Sequence, residues 1–244
     1  MSNIATLPLL LKQLGLPRMY AHWESHAVKA EESRWGYPQY LASLCSEEVA
    51  SRTQNRIARH IKEAHLLPGK TLSTFDFKTA KSVNAAQITA LADNTDWIKQ
   101  AHNLVIFGPS GVGKSHLACA IAHRLIEQGI RALFVSTTNL VQKLQLARQA
   151  YRLPEALAKL ARIPLLILDD IGYIKKDDAE TSVLFELIAD RYESSSLIIT
   201  ANQPFGEWDQ IFPDSNMAVA AIDRLVHHAT IINIQDNSYR KPKK

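Results

Sequence analysis

Two rhythms of apolar and polar positions run along this chain, and the change from one to the other divides it. From Leu7 to about Leu66 the apolar residues recur at helical spacing. Leu7 to Leu16 is periodic and stops at Gly15-Leu16-Pro17. The pattern predicts a second helix over Met19–Ser33, a third over Pro38–Cys45, and a fourth from Ser46 to about Leu66. Ser46 reads as the N-cap of that fourth helix, with Glu47 and Glu48 at the positive end of its dipole. Val49, Ile57, Ile61 and Ala64 fall on one side of it. Leu67-Pro68-Gly69-Lys70 then breaks the helix, and Thr71 to Phe77 reads as a linker. Phe75 and Phe77 pack there, against the core or against a base.

After two further helical stretches, Asn84–Ala92 and Thr95–Ala101, short apolar runs alternate with helices, as a parallel sheet requires. Strands are predicted at Leu104–Phe107, Ala132–Ser136, Leu165–Leu168, Leu197–Thr200 and Thr230–Ile234. Helices are predicted at Lys114–Gln128, Thr138–Tyr151, Pro154–Ala161, Ala179–Glu193 and Ala218–His227. The expected architecture is α/β: a five-stranded parallel core over residues 103–244, a linker with leading helices over 68–102, and a small all-helical N-terminal domain over 1–67. Only ten residues follow the last predicted strand, so no C-terminal lid is expected.

Composition changes this picture little. At 244 residues and 46% hydrophobic, the chain has ample material for a core, and 21% charged residues do not suggest disorder. The formal charge is +4, and its distribution says more than its size. Residues 1–70 hold nine Lys or Arg against six Asp or Glu, so most of the excess lies in the helical region. Arg52, Arg56 and Arg59 recur at helical spacing with Lys62 close by. This stripe reads either as a solvated face or as a contact to the phosphates of duplex DNA. Cys45 and Cys119 are far apart and have no metal-type spacing, which suits a reducing cytoplasm. No apolar stretch approaches the length needed to cross a membrane, and the run Leu7–Leu11 lacks the basic flank of a signal peptide.

The sharpest signal is Gly108-Pro109-Ser110-Gly111-Val112-Gly113-Lys114-Ser115, which fits G-x-x-x-x-G-K-[ST] between a predicted strand and a predicted helix. Glycines at this spacing let successive N–H groups turn inward around a phosphate, and the helix N-terminus adds its positive dipole end. Lys114 is placed to reach the β- and γ-phosphates of ATP, and Ser115 to hold Mg²⁺. Leu165-Leu166-Ile167-Leu168-Asp169-Asp170 is an apolar run ending in two acids. A strand end emerging beside the phosphate loop would give Asp169 to the metal and Asp170 to the attacking water as general base. Ser196–Asn202 is a further strand ending in small polar residues. Asn202 there reads as a turn former or as a contact to the γ-phosphate or the water. His22 and His26 share a helix face without a third ligand nearby and read as surface or interface residues.

These motifs in this order, with Leu165 to Gly172, Thr200-Ala201-Asn202-Gln203-Pro204-Phe205 and Trp208, Asp223-Arg224-Leu225 and Ser238-Tyr239-Arg240, resemble the IstB family. That family comprises helper ATPases of insertion-sequence transposition, related to DnaC-type helicase loaders. The resemblance spans nearly the whole chain, including Phe75-Asp76-Phe77. It implies an AAA+ fold, ATP-dependent self-assembly into a homo-oligomer on duplex DNA, and a transposase as protein partner. It implies a sensor role for Asn202 and, for Arg224, an arginine finger reaching a neighbouring subunit's γ-phosphate, where a guanidinium neutralises charge on the transferring group. Arg240 matches a second nucleotide-sensing arginine, with a surface salt bridge as the equal alternative. The rivals are a helicase loader, a nucleotide-gated DNA scaffold with little turnover, and a small-molecule kinase.

Overall fold

The computed structural model describes residues 4–172, 178–210, 215–236 and 238. Its internal contacts divide the chain into two units, Met1–Arg59 and His60–Lys244.

The first unit is helical. It contains α1 (Leu7–Gln13), α2 (Pro17–Glu32) and the greater part of α3 (Tyr37–Glu63). Leu11, Met19 and Leu44 form its small core, joined by Leu7, Leu16, Trp23 and Tyr40. The helix break expected between Cys45 and Ser46 does not exist, and α3 runs straight through it. Neither glycine nor proline follows Pro38 in this helix, so nothing in the chain forces a stop.

The acids that suggested a new helix start serve a different helix. Pro17 opens α2, where its missing N–H costs nothing, and Leu16 at the N-cap has no side chain able to accept a hydrogen bond. Glu48, only 3% exposed, supplies the acceptor instead. Its Oε2 receives the backbone N–H groups of Arg18 at 2.8 Å and Met19 at 3.3 Å. Arg52 holds Oε1 at 2.9 Å and donates to the Gly15 carbonyl at 2.6 Å. Burial pushes the Glu48 carboxyl up, but the hydrogen bonds from Arg52, Arg18 and Met19 outweigh it and hold the group below its ordinary value.

The second unit is the α/β core. Asn84 caps α4 (Ala85–Asp93) by accepting from Ala86 and Gln87, and α5 (Asp96–Lys99) follows. Then come β1 (Asn103–Phe107), α6 (Lys114–Glu127), β2 (Ala132–Ser136), α7 (Thr137–Gln149), α8 (Leu153–Ala161) and β3 (Leu165–Asp169). The described core ends with α9 (Asp178–Arg191), β4 (Ser196–Ala201), α10 (Ser215–Val226) and β5 (Ala229–Asn233). All five strands pair in parallel, in the order β2-β3-β4-β1-β5. The five-stranded parallel sheet expected from the sequence is the one observed.

Both faces of this sheet are covered, so the central strands read as unbroken apolar runs. Val105, Phe107, Leu166, Leu168, Leu197 and Ile199 point into a core with residues of α7, α9 and α10. The alternate positions of the same strands face α6, which packs across β1, β2, β3 and β4. At the strand starts, the buried Arg191 donates to the carbonyls of Leu160, Ile163, Pro164 and Ser196 and ties β3 to β4. Burial lowers this guanidinium to about 10, so it stays charged at neutral pH. At the β2 edge, the Phe134 N–H donates to the Ala64 carbonyl at 2.8 Å.

Candidate functional site

The loop after β1 is held so tightly that its first residue must be glycine. Gly108 has φ +148°, and a Cβ there would meet the Ile234 carbonyl oxygen at 2.4 Å. Val112 is fully buried and pins the middle of the loop to the core. Gly113 takes the N-cap position of α6 at φ 100°, and no side chain caps that helix. An uncapped α6 leaves its first N–H groups to whatever enters the space in front of them. Lys114 is only 7% exposed. Its ammonium turns back on the loop, donating to the carbonyls of Gly108 at 2.8 Å and Pro109 at 2.9 Å, and to Asn202 Oδ1 at 2.7 Å.

The acids sit two strands away from the loop. β4 lies between β1 and β3, yet Asp169 and Asp170 share one cavity with the loop. This strand order makes β4 the bridge. Thr200 Oγ1 donates to Asp169 Oδ1 at 2.7 Å and accepts the Asp170 N–H at 2.9 Å. Asn202 Nδ2 donates to Asp170 Oδ1 at 2.9 Å. Asp170 itself has φ 61°, a left-handed conformation uncommon for a non-glycine residue. The turn is closed by the Ile171 N–H on the Thr200 carbonyl at 3.0 Å, and Thr137 donates to the Asp169 carbonyl at 2.9 Å. A continuous polar chain therefore runs from Lys114 through Asn202 and Asp170 to Thr200 and Asp169.

These groups line a cavity of about 830 Å³ with Ser110, Gly111, Gly113 and Ser115. Its volume suits a ligand of nucleotide size. The far wall comes from Leu67, Lys70, Thr74, Phe75, Asp76 and His116. His116 Nε2 lies 3.1 Å from both the Thr71 carbonyl and Thr74 Oγ1. A carbonyl can only accept, so in the neutral ring this nitrogen carries the proton. Burial pushes the imidazole below its ordinary value, and the charge of Lys70 adds to that, against the hydrogen bond to Thr71. Phe75 meets His116 edge-on at 5.2 Å and Phe77 at 4.7 Å. Phe75 is thus both a packing residue and part of the cavity wall.

The sequence reading missed Thr200, Lys70, Thr74 and His116. Two signals were available. Thr200 precedes Asn202 by two, which puts both on one face of a strand, and His116 follows Ser115 in the first turn of α6.

Other expected residues lie elsewhere. Arg224 on α10 is not among the cavity-lining residues; its guanidinium sits over the Phe185 ring at 4.9 Å and donates to the Ala220 carbonyl. Arg52, Arg56 and Arg59 are exposed on α3, Arg52 being engaged with Glu48 and Gly15. His22 and His26 both approach Glu47, at 3.5 and 2.9 Å. Arg240 falls outside the described residues.

Comparison with known proteins decides the family. Residues 9–244 match the model of the IstB-like ATP binding protein family. The chain belongs to this family. One relative is the insertion sequence ATP-binding protein y4iQ/y4nD/y4sD of Sinorhizobium fredii (strain NBRC 101917 / NGR234). It is 51% identical over 97% of this chain and 80% of its own length. The insertion sequence IS21 ATP-binding protein of Pseudomonas aeruginosa is 35% identical over 98% of this chain and 89% of its own. Among solved structures, the DnaC helicase loader superposes with a TM-score of 0.56 at 24% identity, over 68% of this chain and 97% of that one. The AMPPCP-bound DnaA of Aquifex aeolicus gives a TM-score of 0.58 at 19% identity, over 72% and 53%. The fold is that of the AAA+ proteins, as the motifs of this IstB-like chain implied. Among the described residues, no helix is long and apolar enough to cross a membrane.

Proposed function

We propose that this IstB-like protein hydrolyses ATP to ADP and phosphate to assemble on duplex DNA and to recruit or regulate a transposase, working in the cytoplasm. The observation that carries the catalytic part is the polar chain joining Lys114, Asn202, Asp170, Thr200 and Asp169 along one cavity. Gly108 to Ser115 bind the phosphates through their backbone, with Lys114 exchanging its loop carbonyls for phosphate oxygens. Ser115 and Asp169 are hard oxygen donors lining the same cavity, a set that fits Mg²⁺. Bound there, the ion would supply charge neutralisation at the phosphates. Asp170 is the general base that orients water, and Asn202, tied to both Lys114 and Asp170, senses the γ-phosphate. Arg224, outside the cavity of its own subunit, acts on a neighbour's nucleotide and makes hydrolysis depend on the homo-oligomer.

In this reading residues 103–244 are the ATPase core and 68–102 the connecting segment. Residues 1–67 bind DNA or drive assembly. Arg52, Arg56 and Arg59 are the exposed cations placed for phosphate contact, Arg52 being also paired with Glu48. The names of these relatives, tied to insertion sequences, favour a transposase over a replicative helicase as partner.

The test joins ATP turnover and sedimentation, with and without non-specific duplex DNA, at two salt concentrations. DNA-stimulated turnover with ATP-dependent, salt-sensitive assembly is expected, and Arg224→Ala should lose turnover while keeping nucleotide affinity within about threefold. Loss of an arginine finger is worth ~10³-fold or more in rate. An ATP-bound protein that stays monomeric on DNA would sink the assembly reading. Turnover indifferent to DNA would redirect it to a protein-partner loader.

A further inference from the structure

We propose that Thr200 is the positioning residue that assigns the two neighbouring carboxylates to different tasks, by fixing the left-handed turn between them. This rests on the reading of the cavity as an ATP-hydrolysing site, and it gives a role to the first residue of the Thr200–Phe205 motif.

Asp169 ends β3 and Asp170 follows it directly. Successive residues of an extended chain point to opposite faces of a sheet, so simple continuation of β3 would send the second carboxylate away from the cavity. Both acids nevertheless line the cavity. The chain achieves this by turning Asp170 to φ 61°, a left-handed conformation that is strained for a non-glycine residue. Something must hold the turn.

Thr200 is that holder. It lies on β4, one position beyond the last paired rung with β3 (Leu168 with Ile199), and is 1% exposed. A hydroxyl has one proton and two lone pairs, and here the roles are assigned without ambiguity. Asp170 N–H can only donate, so the hydroxyl accepts from it at 2.9 Å. Its single proton goes to Asp169 Oδ1 at 2.7 Å. The same residue's carbonyl accepts the Ile171 N–H at 3.0 Å, closing the turn from the other side. One side chain thus grips the carboxylate of the first acid and the backbone of the second. Two residues on, just past the end of β4, Asn202 takes the carboxylate of Asp170. Thr200 thus holds the Asp169 carboxylate in the cavity that Ser115 also lines, and Asn202 links Asp170 to Lys114.

The test compares Thr200→Val, which keeps shape and β propensity but deletes the hydroxyl, with Thr200→Ser, which keeps the hydroxyl and deletes the methyl. Three readouts are taken on the full-length protein. In Thr200→Val the kcat for ATP should fall about 10- to 100-fold, the range for losing an outer-shell partner of a functional carboxylate. Its affinity for a fluorescent ATP analogue in EDTA should stay within about threefold, while the gain in affinity on adding Mg²⁺ is lost. The Asp170 and Ile171 amides should lose their protection against hydrogen exchange. Thr200→Ser should restore all three. Failure of Thr200→Ser to restore them, with the same loss as Val, overturns the proposal in favour of packing by the methyl. A Thr200→Val protein like wild type in turnover and Mg²⁺ response also overturns it. If wild type neither binds nor hydrolyses ATP, the functional reading falls, and amide exchange alone then decides whether Thr200 holds the turn.

Discussion

Two helix N-termini in this protein are finished in opposite ways. At α2, the first N–H groups are met by an internal carboxylate, Glu48, which is buried and locked by Arg52. At α6, the N-cap is a left-handed glycine with no side-chain cap, and the space in front is a cavity whose lining includes Lys114, Asp169 and Asp170. Both ends carry the same partial positive charge. The first is filled from within and has only a structural use. The second is left open and keeps its donors for an anion that the chain does not supply. An open helix end is informative because nothing in the chain already fills it.

The largest expected effect breaks the open end. Lys114→Ala should lower affinity for a fluorescent ATP analogue roughly 10- to 100-fold, since a hydrogen bond to a charged group is worth ~1.5–3 kcal/mol. Glu48→Ala, at the closed end, should leave that affinity unchanged. The converse comes next. Glu48→Ala should cost ~1–3 kcal/mol of stability by orphaning the α2 N–H groups, measured by chemical denaturation.

That contribution depends on acid in a definite direction. The Glu48 carboxyl is held below its ordinary value of 4.5, so its stabilisation is complete above that value and is lost as pH falls through the folded one. Wild type and Glu48→Gln should therefore differ most near neutrality and converge as the solution is acidified, in thermal unfolding of the full chain. The smallest effect is Arg52→Ala. Its side chain is 58% exposed, and an exposed pair of this kind is worth ~0.2–1 kcal/mol. A larger loss would mean that the Gly15 contact, not the ion pair, secures the closed end.

The same contrast explains what could be read from the sequence. The phosphate loop was legible because its constraints are local. Glycines at 108, 111 and 113 are demanded by backbone angles that few other residues adopt, so their spacing survives as a pattern. The parallel sheet was legible because strands buried on both faces leave apolar runs such as Leu165–Leu168. Ser46-Glu47-Glu48 has the composition of a helix start, but its acid caps a helix about thirty residues earlier in the chain. No local pattern distinguishes an acid that caps its own helix from one that caps another. Thr200 and His116 were hidden for a related reason. Their value depends on β4 lying between β1 and β3, and on residues 67–76 closing the cavity wall, and both are facts of tertiary arrangement.

The bond from the Phe134 N–H to the Ala64 carbonyl has a consequence for solubility. β2 is an outer strand of an apolar sheet, and the bare N–H and C=O groups of such a strand are a template on which a foreign strand can dock. The segment just after α3 occupies a central donor of that template. It acts as a built-in stopper, and chains that lose it through nicking or truncation would be the ones to find each other and aggregate.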